Sequence, residues 1–240
     1  ATPTNDPAFT AQPFTPEDLS RDARRIDAQI TSTLEALKLK LSTLKDLVAD
    51  DAALLLSRRI NLFTRANAIT GSSAAGQCIR IHGDYHLGQT LRVQASSKEA
   101  GSESGDFVLL DFEGEPARLL AERRQMQSPL KDVAGMIRSF SYAAYSSLDQ
   151  FLTANPKRTH PPDSDRLTTW TVAWQNAAST EFLRAYRDTI AANPALLPPL
   201  QQSQALLSAY LLEKALYELL YELNNRPSWL HIPLAGILAL

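Results

Sequence analysis

The sequence contains a single cysteine, Cys78, among its 240 residues. One cysteine excludes an internal disulfide framework and is typical of a reducing compartment, so we expect a cytoplasmic protein with Cys78 buried as a small apolar residue. No stretch is long and apolar enough to cross a bilayer. The formal net charge of −2 gives no overall attraction to nucleic acid or to a membrane surface, and neither is expected as a partner.

The first residues differ in composition from the rest of the chain. Residues 1–14 are rich in proline and threonine, and the chain opens with alanine rather than methionine. We therefore expect a flexible segment over 1–14, a domain over 15–240, and a larger parent protein from which the chain was cut or processed.

Apolar residues at helical spacing cover most of the chain after residue 14. Thr15-Pro16 is a typical helix start, with a capping side chain before proline at the first helical position. Behind it, one apolar face is formed by Ile26, Ile30, Leu34, Leu37, Leu41, Leu44 and Val48. A second helical stretch follows directly, and further helices are predicted over 128–152, 165–192 and 199–225.

Between these helices, three short segments have the composition of β-strands and are expected to form one small insert. They cover residues 78–81, 91–93 and 107–110. The stretch 94–106 between the last two is rich in serine and glycine and is predicted to be a mobile hairpin loop. The fold class is therefore mostly α with a small β-hairpin insert, an α+β arrangement.

The sequence IRIHGDYHLGQ, residues 79–89, interrupts an apolar strand with polar, titratable groups. Such groups are costly to bury unless they do chemistry. Antiparallel pairing of the next two strands would bring Asp111 back beside this loop. The side chains gathered there would be Asp84, Gln89, Asp111, His82 and His86.

This set of side chains suits phosphoryl transfer. Asp84 would be the general base that takes the proton of the acceptor hydroxyl. Asp111 and Gln89 would hold Mg²⁺ against the phosphates of a nucleotide, because oxygen ligands favour Mg²⁺ whereas zinc prefers histidine. His82 is expected to be a structural hydrogen-bonding residue. His86 is expected to contact the site residues rather than the substrate.

The same residues carry a family resemblance. HGDYHLGQ followed by VLLDFE resembles the aminoglycoside-phosphotransferase-like branch of the protein-kinase superfamily. Residues 111–144 and 211–237 are similar to bacterial maltokinases, which are often the C-terminal part of a trehalose synthase fusion. The resemblance covers residues 15–240 and implies the C-terminal lobe of a protein-kinase-like fold, with ATP and Mg²⁺ as cofactors and a role in glycogen or trehalose metabolism.

Within that resemblance, Asp84 matches the base, and Gln89 and Asp111 match the metal ligands. Gln89 replaces the usual asparagine, and Glu113 replaces the glycine of the kinase Asp-Phe-Gly motif. Both changes are usual in maltokinases. Supporting roles are expected for His82, His86, Glu113 and Arg138.

Arg138 is a charged residue on an otherwise apolar predicted helix. A buried guanidinium needs an ionised partner, because an unpaired buried charge is strongly destabilising. We therefore expect Arg138 to pair with a residue such as Asp132 or Glu115.

The sequence also lacks parts that a whole kinase needs. Before residue 79 there is no glycine-rich phosphate loop and no strand with a phosphate-binding lysine. We therefore expect the C-terminal lobe alone, which folds but has little or no kinase activity without an N-lobe.

The helix around residues 206–224 has two different faces. The core-facing side is an apolar stripe formed by Leu212, Leu216, Leu219 and Leu223. The opposite side carries Lys214, Tyr217, Glu218 and Tyr221. Tyrosine rings pack against pyranose rings and charged groups bond to hydroxyls, so this side suits a sugar. The resemblance to maltokinases implies that the sugar is maltose, with its anomeric hydroxyl towards Asp84. The alternative is a plain surface ion pair between Lys214 and Glu218, with the tyrosines at the edge of the core.

Three hypotheses for function follow. The first is a maltokinase lobe that uses ATP to convert maltose to α-maltose 1-phosphate. The second is an aminoglycoside or other small-molecule phosphotransferase of the same fold, for which an acidic acceptor pocket would be expected. The third is a helical interaction module in which the kinase residues no longer act.

Overall fold

The computed structural model describes residues 6–71, 75–93, 106–160 and 162–240. Its helices are α1 Pro16–Lys40, α2 Asp46–Ser57, α3 Arg59–Asn67, α4 Leu120–Arg123, α5 Leu130–Ala154, α6 Asp163–Ile190, α7 Leu200–Asn225 and α8 His231–Leu238. Its strands are β1 Gln12–Pro13, β2 Gln77–Cys78, β3 Thr90–Val93 and β4 Asp106–Leu109. The predicted class, mostly α with a small hairpin, is confirmed. In this part of the chain, no helix has the length and apolarity needed to cross a membrane.

Helix α1 begins at the predicted cap. The Thr15 hydroxyl accepts the Asp18 N–H at 3.2 Å, and the Asp18 carboxylate accepts the Thr15 N–H at 2.9 Å, which completes a capping box. The predicted apolar face runs on beyond the helix, which ends at Lys40 and is followed by a short turn into α2. Lys40 Nζ donates to the Leu223 carbonyl at 2.9 Å and so joins the end of α1 to the end of α7.

Helix α7 lies at the centre of the core, in contact with α1, α3, α5 and α8. Its predicted apolar stripe is buried, with exposures of 2% or less for Leu212, Leu216, Leu219 and Leu223. Burying a leucine side chain contributes about 1.5–3 kcal/mol. Packing on one side of α7 therefore fixes the position of the polar residues on its other side.

Strands β3 and β4 pair antiparallel, with Thr90 opposite Leu109, which confirms the predicted hairpin. Residues 94–105 of the predicted mobile loop lie outside the described ranges. The predicted strand 78–81 does not join the hairpin, since β2 pairs with β1 and Ile79 forms an isolated bridge elsewhere. The expectation of a three-stranded insert is wrong, because the backbone after this point bonds to a side chain of α5 rather than to a strand.

Strand β1 orders the chain just before α1. Gln12–Pro13 pairs with β2, and Phe14 is buried in the core. The segment 1–14 that was expected to be flexible therefore includes paired residues at its end, while residues 1–5 lie outside the described ranges. Cys78 in β2 is buried as predicted. Burial raises the pKa of its thiol, which makes Cys78 a poor nucleophile.

Candidate active site

The turn at residues 82–84 is held by one carboxylate of helix α5. Asp132 Oδ2 accepts the His82 N–H at 2.7 Å, and Asp132 Oδ1 accepts the Gly83 N–H at 2.9 Å. Gly83 has a φ of 83°, which favours glycine at this position. Because Asp132 lies in the first turn of α5, a rigid helix sets the position of Asp84.

His82 joins this turn to the end of β4. Its ring is buried, and Nε2 lies 2.7 Å from the Leu110 carbonyl oxygen. Since a carbonyl only accepts, Nε2 carries the proton, and Nδ1 accepts the Asp84 N–H at 3.4 Å. Through this ring, Asp111, which follows Leu110, is brought to the turn that carries Asp84.

Asp84, the predicted general base, faces two basic side chains. Its Oδ1 lies 3.4 Å from Lys214 Nζ, and its Oδ2 lies 3.7 Å from His86 Nε2. His86 Nδ1 accepts the Gly88 N–H at 3.0 Å, which leaves Nε2 to face Asp84. Burial alone raises the pKa of Asp84, but the hydrogen bond of His86 and the charge of Lys214 outweigh it and lower the pKa to about 2. Asp84 is therefore ionised at neutral pH, and its carboxylate is a hydrogen-bond acceptor.

The two predicted metal ligands meet at the end of the hairpin. Gln89 Nε2 donates to Asp111 Oδ2 at 3.0 Å, and the Leu110 N–H donates to the Gln89 carbonyl at 2.9 Å. Asp111 has a φ of 57°, a left-handed conformation that is strained in most residues other than glycine. Strain of this kind is often found at functional sites.

The chemistry of Gln89 and Asp111 fits a magnesium ion. Mg²⁺ is usually held by one or two carboxylates together with substrate phosphates. Across the described residues, no group of three or more His, Cys, Asp or Glu side chains is arranged to hold a metal ion. A bound ion would therefore take further ligands from a nucleotide, and the Gln89 carboxamide would turn its oxygen towards it.

The loop after Asp111 turns at Gly114, which has a φ of 77°. The side chain of Glu113, a predicted supporting residue, is exposed. Arg123 Nη1 donates to the Glu113 carbonyl at 3.3 Å, and its side chain covers Gly114. Glu113 thus contributes a backbone carbonyl that ties the loop to α4.

A cleft of about 640 Å³ opens beside Asp84 along helices α5 and α7. The predicted acceptor residues all line it, namely Lys214, Tyr217, Glu218 and Tyr221. Lys214 Nζ lies 3.5 Å from Glu115 Oε2, and the Tyr217 hydroxyl donates to Glu115 Oε1 at 3.0 Å. The alternative of a surface ion pair between Lys214 and Glu218 is wrong, because each of these described side chains pairs with another residue.

Glu115 is a site residue that sequence reasoning missed. It lines the cleft and contacts both Lys214 and Tyr217. Burial and the charge of Glu115 raise the pKa of Tyr217, so the phenol stays protonated and serves as a donor. The available signal is the pattern Gly114-Glu115, in which a glycine turn directs the next side chain back towards α7.

Arg138 pairs with Glu218 rather than with either expected partner. Arg138 Nε and Nη2 both lie 2.8 Å from Glu218 Oε2, and the two side chains are only 5% and 10% exposed. The Asp132 carboxylate is occupied by backbone N–H groups, and Glu115 is occupied by residues of α7. Glu218 also lines the cleft, and its Oε1 has no hydrogen-bond partner among the described residues.

Two buried carboxylates, Glu213 and Asp22, are the centre of a second charge network. Glu213 Oε1 accepts from Arg25 Nε at 2.9 Å and lies 3.4 Å from Arg118 Nη2. Asp22 Oδ1 lies 2.6 Å from Arg25 Nη1, and Asp22 Oδ2 lies 3.3 Å from Lys131 Nζ. Burial raises the pKa of Glu213, but the charges of Lys131 and Arg25 outweigh it and lower the pKa to about 2. Through Arg118, the network joins α1, α5 and α7 to the loop that carries Glu115.

The sequence matches part of two curated glucosamine kinases. No protein-family profile matches it. Glucosamine kinase of Streptacidiphilus jiangxiensis is 30% identical over 183 residues, which cover 73% of this chain and 34% of the relative. Glucosamine kinase of Mycolicibacterium smegmatis is 29% identical over 241 residues, which cover 97% of this chain and 49% of the relative. The chain thus spans a third to a half of the length of these relatives.

Solved structures give the same correspondence. Crystal form B of a glucosamine kinase superposes with a TM-score of 0.70 at 22% identity, over 96% of this chain and 47% of that one. A glucosamine kinase in complex with glucosamine, ADP and inorganic phosphate gives 0.68 at 22% identity, over 95% and 46%. This chain has the fold of about half of a glucosamine kinase.

Glu213 is expected to make the free energy of unfolding of this chain depend on pH in the acid range. Its pKa is about 2 in the folded chain, against about 4.3 in an unfolded one. The stabilisation is complete above the unfolded value and is lost as the pH falls from about 5 towards 2, for a total of about 3 kcal/mol. Urea unfolding at about pH 7 and about pH 3 measures the loss, which Glu213→Gln should reduce. Glu181→Gln, on the exposed side of α6, is the matched control, and an equal acid loss in both variants would contradict the assignment.

Asp132 offers a test of how this chain positions the turn at residues 82–84. Asp132→Asn keeps one oxygen but turns an amide N–H towards one of the two backbone donors. The unpaired group is expected to cost about 1–3 kcal/mol of unfolding free energy and to speed amide exchange at His82 and Gly83. Hydrogen-exchange NMR measures this, with Asp149→Asn on the exposed face of α5 as control. Unchanged protection of both amides would show that Asp132 does not hold the turn.

Proposed function

We propose that this chain is the acceptor-binding, catalytic half of an ATP-dependent sugar kinase. The observation that carries the proposal is the position of Asp84. It lies at the end of a cleft lined by Lys214 and Tyr217, and His82 joins its turn to the hairpin end that carries Asp111. The proposed base Asp84, the proposed metal ligands Gln89 and Asp111, and the polar cleft are therefore neighbouring parts of one site. The names of the similar proteins support the same class of reaction.

In this proposal, Asp84 orients the acceptor hydroxyl and takes its proton late. A carboxylate with a pKa of about 2 is too weak a base to remove the proton of a free alcohol. Phosphoryl transfer passes through a loose transition state, so the hydroxyl becomes acidic only as its oxygen bonds to phosphorus. Lys214 keeps Asp84 ionised and is close enough to donate to the same hydroxyl.

Gln89 and Asp111 would hold Mg²⁺, which when bound neutralises charge on the nucleotide phosphates. The solved relative with ADP is about twice as long as the part of it that this chain covers. We infer that the half of the fold that this chain does not span grips the nucleotide. The chain alone is therefore expected to bind the acceptor but to transfer phosphate slowly or not at all.

Two acceptors are candidates. Maltose is the acceptor that we propose, because Tyr217 and Tyr221 present rings one helical turn apart along the cleft. Glucosamine is the second candidate, because both curated relatives are named for it. Its ammonium group would find carboxylates among the side chains that line the cleft, Glu115 and Glu218 among them.

Calorimetric titration of each sugar into the chain tests this proposal. We expect the favoured sugar to bind, and Tyr217→Ala to weaken it at least tenfold, that is by about 1.4 kcal/mol. Tyr145→Ala is the matched control, since Tyr145 is on α5 but does not line the cleft. An aminoglycoside serves as the third ligand.

Each outcome decides between the candidates. If glucosamine binds and maltose does not, glucosamine replaces maltose as the proposed acceptor, and the sugar kinase proposal stands. Binding of the aminoglycoside alone would replace the sugar kinase by another small-molecule phosphotransferase. Equal effects of the two tyrosine variants would remove Tyr217 from the acceptor site.

A further inference from the structure

The short loop between Asp84 and Gln89 contains a ring that contacts both of its ends. His86 precedes the turn Leu87–Gln89, and its Nδ1 accepts the Gly88 N–H at 3.0 Å. The Gln89 N–H donates to the His86 carbonyl at 2.9 Å. On the other side of the ring, Nε2 lies 3.7 Å from Asp84 Oδ2. One residue therefore contacts the proposed base and also the turn that carries a proposed metal ligand.

The contact with Gly88 decides which nitrogen of the neutral His86 ring carries the proton. A backbone N–H only donates, so Nδ1 carries no proton. The proton is therefore on Nε2, the nitrogen that faces the Asp84 carboxylate. Lys214 Nζ lies beside the other oxygen of the same carboxylate, so Asp84 is held from two sides.

A glycine and a helix fix the position of the His86 ring. A Cβ at Gly88 would lie 2.8 Å from His86 Cε1 and 2.9 Å from Nδ1, which is closer than a side-chain carbon normally approaches. The Leu87 N–H donates to Ser139 Oγ at 3.2 Å, and the Ser139 hydroxyl donates to the Met136 carbonyl of α5 at 2.7 Å. The ring therefore has little freedom to leave its place between Asp84 and the turn.

We propose that His86 is a positioning residue that couples the base to the metal ligand: its Nε2–H orients the Asp84 carboxylate, and its Nδ1 caps the turn that holds Gln89. This inference rests on the proposed sugar kinase function. In-line transfer needs the acceptor hydroxyl and the metal-bound phosphate at a fixed separation. A displacement of about 1 Å at a reacting group can cost about 10²-fold in rate, so a shared ring between the two residues has a direct effect on catalysis.

Two amide variants separate the two contacts of His86. In His86→Asn the carboxamide oxygen takes the place of Nδ1, because asparagine is a favoured cap, but the group that faces Asp84 is lost. In His86→Gln the amide nitrogen takes the place of Nε2, but the cap on Gly88 is lost. We expect His86→Asn to lower kcat about tenfold, the equivalent of one hydrogen bond, with little change in the half-saturating concentration of the magnesium nucleotide. His86→Gln should instead raise that concentration about tenfold, with a smaller loss of kcat.

Nitrogen-15 NMR of the chain alone measures the same contacts without turnover. The ring of His86 should carry its proton on Nε2. The Gly88 amide should be protected from exchange in the native chain and in His86→Asn, and should exchange faster in His86→Gln. His231 is the matched control, since its side chain is 31% exposed against 38% for His86 and it does not line the cleft. The same two changes at His231 should leave the kinetics and the Gly88 exchange unchanged.

The outcomes separate the role of His86 from the function on which it rests. The kinetics are measured with a polypeptide that also carries the half of the fold that this chain does not span. A proton on Nδ1, equal effects of the two His86 variants or native kinetics in both would overturn the positioning role. If the native polypeptide phosphorylates none of maltose, glucosamine and an aminoglycoside, the proposed function itself has failed, and the NMR still tests the cap. Melting temperatures close to that of the native chain exclude unfolding as the cause of any loss.

Discussion

Replacing Asp84 by asparagine is expected to lower phosphoryl transfer by about 10²–10⁴-fold, the usual contribution of a general base. Asparagine has the same shape and still accepts a hydrogen bond from the sugar hydroxyl, but it does not take the proton. The binding of the sugar should change much less than the rate. The variant lacks the negative charge that faces Lys214 and His86 in the native chain. A modest change in sugar affinity is therefore consistent with the geometry.

The rate is measured with a polypeptide that also carries the half of the kinase fold that this chain does not span. Asp106→Asn, at the exposed start of β4, is the matched control and should leave the rate unchanged. An Asp84→Asn variant that keeps its full rate would remove Asp84 from the role of base. A variant that loses sugar binding in proportion to rate would make Asp84 a binding residue only.

Replacing Arg138 by alanine is expected to lower the free energy of unfolding by about 3–5 kcal/mol. The change leaves Glu218 buried without its ionic partner, and a lone buried carboxylate is far more costly than a missing pair. Gly236 adds to the constraint, because a Cβ at that position would overlap Arg138 Nη1. The Arg138 guanidinium therefore occupies a space in the core that exists because residue 236 of α8 has no side chain.

A double variant distinguishes the cost of a lone charge from the value of the pair. Arg138→Met combined with Glu218→Met should regain most of the lost stability, because apolar residues avoid the desolvation that the ion pair requires. Urea unfolding measures all three chains, and Arg184→Ala on the exposed side of α6 is the control. The assignment is contradicted if Arg138→Ala costs no more than this control.

Features that depend on neighbouring residues were predicted well. The cap at Thr15, the apolar stripe of α7 and the hairpin β3–β4 all follow from patterns that lie within one element or between adjacent ones. The predicted strand 78–81 is confirmed only at Cys78, in β2, and at the Ile79 bridge, and it stops there for a tertiary reason. Ile79 is β-branched and therefore typical of a strand. The backbone N–H groups of the turn that follows donate to Asp132, some fifty residues later, and not to a neighbouring strand.

Charged partners were the hardest part of the site to predict. Arg138 was expected to pair with Asp132 or Glu115, but its partner is Glu218 on a helix far along the chain. Helical spacing placed Glu218 on the acceptor face, and it does line the cleft, but spacing alone does not say which way a carboxylate turns. Glu115 was considered only as a partner for Arg138, and its place in the cleft was missed, since a loop residue has no periodicity to reveal its direction.

The positive φ of Asp111 has a consequence for the evolution of this chain. Holding most residues in that conformation costs about 1–3 kcal/mol. Aspartate and asparagine adopt it at a smaller cost, and glycine adopts it at none. Selection for thermal stability alone would therefore favour replacing Asp111. A thermostabilised descendant with glycine at this position would keep the fold of the hairpin end but, on the proposed function, would lose one of the two side chains proposed to hold Mg²⁺.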